Sequence, residues 1–417
     1  MKEDINSGSA KPNVTAIMII GLIGKANVGK STFFNAATEL AVPAANYPFT
    51  TIDPNVGIAY ARVKCVCRDL GVEDNPVHSM CIDGNRFIPV KLIDVAGLVP
   101  GAHVGKGLGN KFLDDARQTD ALIHIVDASG STDSNGRQLP AGSGDPMFDI
   151  RFVEEEFNLW LASIIGRDWS KTAREAESQG QKLEQILAKR LSGLGIGEST
   201  IMDAIHISGL TPKKPVAWSE EDILTFCKVL RKKAKPFVIA ANKADLPASD
   251  TNIQKMTIAG LEVVPCASEA EALLRKASKK GVLYYLPGDS SFDVKPGTTL
   301  NIQQQKALDI VKTVMQKYGS TGVQEAINIA CFKILRMVPV YPVEDELKFT
   351  DKKGNVLPDV RLLPEGSTAK DLAETVHAEL AKGFLYAVDA RTKQRIGANH
   401  CLKAGDVIKI VSTTSRG

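Results

Sequence analysis

A chain of 417 residues is too long for one ordinary domain and predicts two or three, each able to bury a core. Its formal net charge of +3 makes no strong electrostatic case for nucleic acid, and seven scattered cysteines fit reduced thiols better than a disulfide framework. The polar start from Met1 to Val14 lacks the basic opening and apolar centre of a signal peptide and no apolar run reaches membrane-spanning length, so a soluble, cytoplasmic protein without a membrane partner is expected.

In chain order the first organised stretch is the apolar run Ile17 to Ile23, then Gly24-Lys25-Ala26-Asn27-Val28-Gly29-Lys30-Ser31-Thr32, then Phe33-Phe34-Asn35-Ala36-Ala37. This is strand, glycine loop and helix, and the loop matches G-x-x-x-x-G-K-[ST] at every position. In a phosphate-binding loop the backbone N–H groups between Gly24 and Ser31 cradle phosphates, helped by the partial positive charge of the helix N-terminus. Lys30 then reaches the β- and γ-phosphates, and the Ser31 hydroxyl ligates Mg²⁺.

The segment Asn46 to Gly57 is too rich in proline and turn residues to be regular, and it carries adjacent threonines, Thr50 and Thr51. In a nucleotide switch one threonine hydroxyl completes the magnesium shell. Ile58 to Cys67 and Phe87 to Ile93 read as strands, the second ending in Asp94-Val95-Ala96-Gly97. An aspartate at the carboxyl end of a strand is placed to hold magnesium through water, and Gly97 lets the backbone approach the γ-phosphate. The glycine-rich stretch Leu98 to Asn110, which contains His103, fits a mobile switch. Between the two strands lie Cys65, Cys67, His78 and Cys81, with two readings open: a small structural zinc site of unusual spacing, or buried thiols of a hairpin core.

Ala121 to Ala128 reads as a strand buried on both faces, with His124 as a satisfied core histidine. Ser129 to Pro146 is a long polar loop. Helical texture follows, one helix around Ile150 to Ile165 with Glu154, Glu155 and Glu156 near its wet face, a second through Leu183 to Leu191 and a third from Ser219. The basic cluster Arg231, Lys232, Lys233 and Lys235 reads as a solvated helix C-terminus, with phosphate contact as the alternative.

The strand Pro236 to Ala241 ends in Asn242-Lys243-Ala244-Asp245. A carboxylate there accepts two hydrogen bonds from guanine N1–H and its exocyclic amine, whereas adenine N1 would set a lone pair against it. Leu261 to Pro265 is a further strand, followed by Cys266-Ala267-Ser268, where the Ala267 N–H is placed to contact guanine O6. Helical patterns return over Glu269 to Lys280, Ile302 to Tyr318 and Gly322 to Leu335. Val338 to Pro342 reads as a boundary, and beyond it a hairpin over Leu347 to Leu362, a helix Ala369 to Lys382 and strands at Phe384 to Val388 and Val407 to Val411 suit a small β-grasp module. The plan is therefore α/β: a P-loop GTPase domain with a mostly parallel sheet in two parts, 14–150 and 236–340, a helical insertion at 151–235, and a β-grasp domain at 341–417.

Four motifs occur in the order of a P-loop GTPase, yet Leu98 stands where Ras-like proteins place a water-orienting glutamine. The run Asn46 to Asn55 resembles the first switch of the Obg family of translation-factor GTPases, and Leu98 to Phe112 resembles its YchF branch. The likeness extends over nearly the whole chain, including a C-terminal segment similar to the TGS domain, a ubiquitin-like fold. It implies magnesium-dependent nucleotide hydrolysis, a cytoplasmic location and association with ribosomes or their RNA. By position it implies Ser31, Thr51 and Asp94 as the magnesium set, His103 beside Lys30 in hydrolysis, and Asn27 as a potassium ligand. YchF proteins proper carry Asn-x-x-Glu and prefer ATP; Asp245 instead resembles their archaeal and fungal relatives, so GTP is the expected substrate of what is expected to be a monomer. Two alternatives stay open, a nucleotide-gated RNA- or protein-binding module with negligible hydrolysis, and a YchF-type ATPase.

Overall fold

Apolar runs become strands and 3.6-residue periodicity becomes helices in the computed structural model, which describes residues 17–39, 55–95, 115–178 and 180–413. The chain opens with β1 (Ile19–Ile23), α1 (Lys30–Thr38), β2 (Val56–Lys64), α2 (Cys67–Leu70), β3 (Met80–Ile82), β4 (Asn85–Asp94) and β5 (Ala121–Asp127). Five helices follow, α3 (Pro146–Gly166), α4 (Trp169–Ser178), α5 (Leu183–Leu191), α6 (Glu198–Ile207) and α7 (Glu220–Ala234). Next come β6 (Phe237–Asn242), α8 (Ser249–Ile258), β7 (Val263–Pro265), α9 (Ser268–Lys279), β8 (Leu283–Tyr284), β9 (Asp293–Val294), α10 (Ile302–Tyr318) and α11 (Val323–Asn328). The last elements are β10 (Met337–Val343), β11 (Arg361–Pro364), α12 (Ala369–Val376), α13 (Ala378–Lys382), β12 (Phe384–Asp389), β13 (Arg395–Ile396) and β14 (Val407–Ser412). The P-loop sheet has the order β2-β4-β1-β5-β6-β7 with β3 on β4, and a five-stranded sheet has the order β11-β10-β14-β12-β13.

Two units divide the described residues, one built on Gly21–Lys30 and Ile93–Pro265, the other on residues up to Ile20, Ser31–Leu92 and Cys266–Gly417. This division cuts across the four segments expected from the sequence. In the first unit β5, β6 and β7 are parallel neighbours, in register from Leu122 opposite Phe237 to Asp127 opposite Asn242. That register brings the carboxyl ends of β5 and β6 level, so Asp127 and Asn242 lie side by side. Every residue of β5 is buried, as a strand covered on both faces must be.

Helices α3 to α7 share an apolar core that includes Leu161, Leu187, Leu191, Ile201, Phe226 and Leu230, with Trp169 stacked on Trp218. Asp145 starts α3 by accepting the Met147 N–H, and a Ser219–Asp222 capping box starts α7. Two expectations are corrected in this unit. Glu156 is buried rather than on the wet face, and the basic cluster is solvated only at Lys232 and Lys233, while Arg231 and Lys235 are buried. Arg231 is buried against Glu154 at 2.7 Å and over the Phe237 ring, and Lys235 donates to the Thr119 carbonyl. Burial pulls the Lys235 pKa down to about 8. Both cations are used inside the fold because the strand beginning at Phe237 starts only three residues after α7 ends.

In the second unit β10 pairs antiparallel with β11 and parallel with β14, and β12 lies antiparallel to β14, the strand arrangement of a ubiquitin-like fold. Val338 to Pro342 is thus the middle of a strand and not a linker, and the expected division at 340/341 falls inside β10. The expected hairpin is also corrected: residues 347–349 form turns, and the partner of β11 is β10. The single helix expected over 369–382 is broken at His377, which is extended (φ −165°) and caps α13 by accepting the Glu379 N–H.

His124 is buried as expected, but among the described residues neither ring nitrogen has a hydrogen-bond partner. Burial, with the nearby Arg231 charge second, lowers its pKa to about 3. A histidine whose folded pKa lies below its unfolded value of about 6.5 costs stability as pH falls from about 6.5 toward 3, by up to about 1.4 kcal/mol per unit. His124→Leu should therefore flatten the loss of stability between pH 7 and 5, read from urea denaturation at each pH. An unchanged pH slope would show that another group sets the acid sensitivity.

Candidate nucleotide-binding site

The loop after β1 is shaped by two glycines that no other residue replaces. Gly24 has φ +153°, and a Cβ there would meet the Ile125 carbonyl oxygen at 2.5 Å; Gly29 has φ +89°, and its Cβ would lie 2.2 Å from the Asn242 Nδ2 atom. Asn242 Nδ2 donates to the Val28 carbonyl at 2.9 Å, which fixes the end of β6 to the loop. The expected base motif and the expected phosphate loop are thereby one construction. Val28 is buried, Ala26 is exposed, and Lys30 opens α1 with the exposed Ser31 and half-buried Thr32 behind it.

The Val95 N–H donates to the Leu22 carbonyl, so β4 delivers Asp94 beside the loop. The Asp94 carboxylate forms an ion pair with Lys30, both half-buried. The lysine expected on phosphate and the carboxylate expected on magnesium are therefore in contact. Thr51, Gly97, Leu98 and His103 lie outside the described residues.

Lys25 is corrected. Its side chain is buried and turned into the protein, where Nζ pairs with Asp149 at 2.7 Å and donates to the Thr132 carbonyl at 3.1 Å. Burial raises the Asp149 pKa, and the Lys25 bond offsets only part of that rise. Lys25 braces the loop against the first turn of α3. Asn27, at φ +61°, donates Nδ2 to the Gly136 carbonyl at 2.8 Å, so the amide is oriented with its oxygen free of that bond.

One residue at the centre of this arrangement was missed by the sequence reading. Asp127, fully buried at the end of β5, accepts from the Ser129 N–H and Oγ (2.6 Å), Ser131 Oγ (2.8 Å) and Thr132 Oγ1 (3.0 Å), and from Lys243 Nζ (2.9 Å). Burial works to raise its pKa, but the hydrogen bonds from Ser129, Lys243 and Ser131 outweigh it and the net shift is downward. The polar loop 129–144 is therefore an ordered brace whose carbonyls hold Lys25 and Asn27. Its signal in the sequence was a carboxylate closing a buried strand, followed by Ser129, Ser131 and Thr132.

Lys243, at φ +61°, starts the turn that presents Asp245, which is exposed. In the second unit Cys266 and Ala267 are buried and Ser268 opens α9. The Ala267 N–H donates to the Thr321 carbonyl at 2.9 Å, which corrects its expected role toward a base oxygen: that donor is already used by the fold.

The comparisons bear on this geometry directly. A GTP-binding protein of Methanocaldococcus jannaschii is 50% identical over 94% of this chain and 99% of its own length. The chain belongs to the Obg-like, YchF-related GTP-binding proteins. Three family models match this Obg-like chain: "50S ribosome-binding GTPase" over residues 19–146, "Obg-like GTPase YGR210-like, G4 motif-containing domain" over 240–345, and "TGS domain" over 349–412. A crystal structure of a GTP-binding protein from Pyrococcus horikoshii aligns with TM-score 0.76 at 41% identity, covering 95% of this chain and all of that one. A Bacillus subtilis protein described as the ribosome-binding ATPase YchF is 26% identical over 93% of this chain and 97% of its own.

In this Obg-like protein Asp127→Asn keeps the shape of the hub and removes its charge. Lys243, a quarter exposed, would lose its ionic partner and keep only the Ser131 hydroxyl at 3.2 Å, and loss of hydrogen bonds to a charged acceptor costs about 1.5–3 kcal/mol. Stability should fall by that order in urea denaturation, and affinity for a fluorescent GTP analogue should fall at least tenfold. Retention of full affinity would mean that Asp127 does not organise the site.

Proposed function

We propose that this protein is a magnesium-dependent GTPase switch that works on the ribosome. The observation that carries the choice of nucleotide is the exposed Asp245 carboxylate, presented by a turn whose Asn242 is bonded to the phosphate loop and whose Lys243 is bonded to Asp127. Guanine N1–H and its exocyclic amine satisfy that carboxylate; adenine leaves it facing a lone pair.

The donor set suits Mg²⁺, a hard ion that takes oxygen ligands and keeps several waters. Asp94 and the Ser31 hydroxyl would hold it, with Thr51 as the third expected ligand, and its chemistry there would be to neutralise phosphate charge. Lys30 is displaced from Asp94 onto phosphate oxygens, an exchange of one anionic partner for another. The Gly136 carbonyl accepts from the Asn27 amide nitrogen, so the amide oxygen would be the atom to hold a potassium ion. Leu98 carries no group able to orient water, so hydrolysis falls to His103, to the monovalent cation or to a partner. Ribosome association is supported by the name of the matching family model and by that of the B. subtilis relative.

The base assignment is tested by exchanging one atom type. An amide at position 245 offers one acceptor and one donor, which matches xanthine N1–H and O2 but not guanine. Asp245→Asn should therefore lose GTP affinity by tenfold or more and gain affinity for xanthosine triphosphate, read by competition titration. ATP bound as tightly as GTP by the native protein would overturn the assignment. Multiple-turnover phosphate release in K⁺ against Na⁺ tests hydrolysis: Asn27→Ala should abolish potassium stimulation while GTP binding persists. Undetectable release in both salts would instead favour a nucleotide-gated binding module.

A further inference from the structure

Outside the nucleotide site, the chain gathers Cys65, Cys67, Asp74 and Cys81 so that one ligand atom of each lies within 4.8 Å of all the others. Cys65 follows the end of β2, Cys67 opens α2, Asp74 is in the loop that follows and Cys81 is the middle residue of β3. Four separate local elements thus aim soft or anionic donors at one point. His78, the other residue considered from the sequence, turns away to Asp359. We propose that these four residues form a structural site for a thiophilic divalent metal of the zinc class.

The geometry fits such an ion. With Zn–S near 2.3 Å, a tetrahedral site has an S···S edge of about 3.8 Å. Cys67 and Cys81 are 3.8 Å apart, and Cys65 Sγ lies 3.1 Å from Asp74 Oδ2. Cys65 and Cys67 are buried, so the position excludes most water. Three thiolates and a carboxylate around a divalent ion leave the site anionic, and a counter-charge is present. Arg86, fully buried, donates Nη2 to Asp74 Oδ2 at 2.7 Å and Nη1 to Ser79 Oγ at 2.9 Å. It orients the carboxylate as outer partners of metal ligands do.

The site also has something to hold. Among the described residues, an apolar cluster on the same strands is small, with Tyr60, Met80 and Phe87 as its buried members. A cluster of that size stabilises the excursion between β2 and β4 weakly, and a metal cross-link substitutes for missing core. The same excursion seats the TGS segment. Asn75 N–H donates to the Val356 carbonyl, Val77 N–H to the Pro358 carbonyl, and Arg86 Nη2 to the Leu357 carbonyl while its guanidinium lies over the Tyr341 ring. Ordering residues 65–81 therefore orders the surface on which residues 355–358 rest.

The experiment uses the full chain, reduced and freed of metal, titrated with Co²⁺ under anaerobic conditions and then with Zn²⁺. One equivalent of Co²⁺ should give thiolate-to-cobalt charge-transfer bands of tetrahedral intensity, and one equivalent of Zn²⁺ should abolish them. Cys81→Ser should weaken Co²⁺ binding at least tenfold, whereas Cys401→Ser, altering the exposed cysteine outside the cluster, should leave it unchanged. Because a cysteine variant can misfold, the native chain supplies a second readout: metal removal should speed proteolysis within residues 345–360, and Zn²⁺ should reverse it. Absence of the charge-transfer bands, their persistence in Cys81→Ser, or recovery of a Cys67–Cys81 disulfide as the native state would each overturn the proposal.

Discussion

The candidate nucleotide site is built around one buried carboxylate. Asp127 receives five hydrogen bonds from four residues, and with them it orders the loop whose carbonyls hold Lys25 and Asn27. An unpaired carboxylate in that position would cost several kcal/mol, so the serine, threonine and lysine donors are a condition of its burial. Because β5 and β6 are in register at their carboxyl ends, the same carboxylate also fixes Lys243, and Asn242 beside it fixes Val28. Phosphate loop, brace and base motif are thus linked by bonds at adjacent strand ends.

Two lysines of the phosphate loop illustrate how burial separates roles that sequence leaves alike. Lys25 and Lys30 lie in one nine-residue motif, and each ends on an aspartate. The Lys25 side chain is 4% exposed and has a second bond to a backbone carbonyl, so its pair is part of the scaffold. Lys30 and Asp94 keep 13% and 14% exposure at the mouth of the loop, where an incoming anion can replace one partner and a cation the other.

Legibility followed locality. Motifs that act through short sequence spacing, Gly24 to Thr32 and Asn242 to Asp245, were readable because backbone shape and side-chain chemistry are set within a few residues. The TGS strands were readable as strands, but their partners were not: Val338 to Pro342 contains two prolines and looks like a linker until β14 and β11 pair with it. Asp127 was missed because its donors at 129, 131, 132 and 243 give no periodic pattern. The basic cluster misled for the same reason. Arg231 and Lys235 find Glu154 and the Thr119 carbonyl only across the fold, and charge alone reads as solvent.

A second buried carboxylate performs the corresponding task at the far end of α1. Glu271 is fully buried and accepts from Arg275 Nε at 2.5 Å, from the Tyr285 hydroxyl at 2.6 Å and from Thr321. Held in this way, Arg275 donates to the carbonyls of Ala37 and Glu39, which close the last turn of α1. Breaking a buried pair of this kind costs about 3–5 kcal/mol, against about 1 kcal/mol for a neutral hydrogen bond, so this helix end is among the firmer points of its unit. The chain leaves it directly for residues 40–54, where the sequence reading places Thr50 and Thr51. The helix whose first residue is Lys30 is therefore held at its last turn by a charged side chain from another helix, and not by the hydrogen bonds of its own final residues alone.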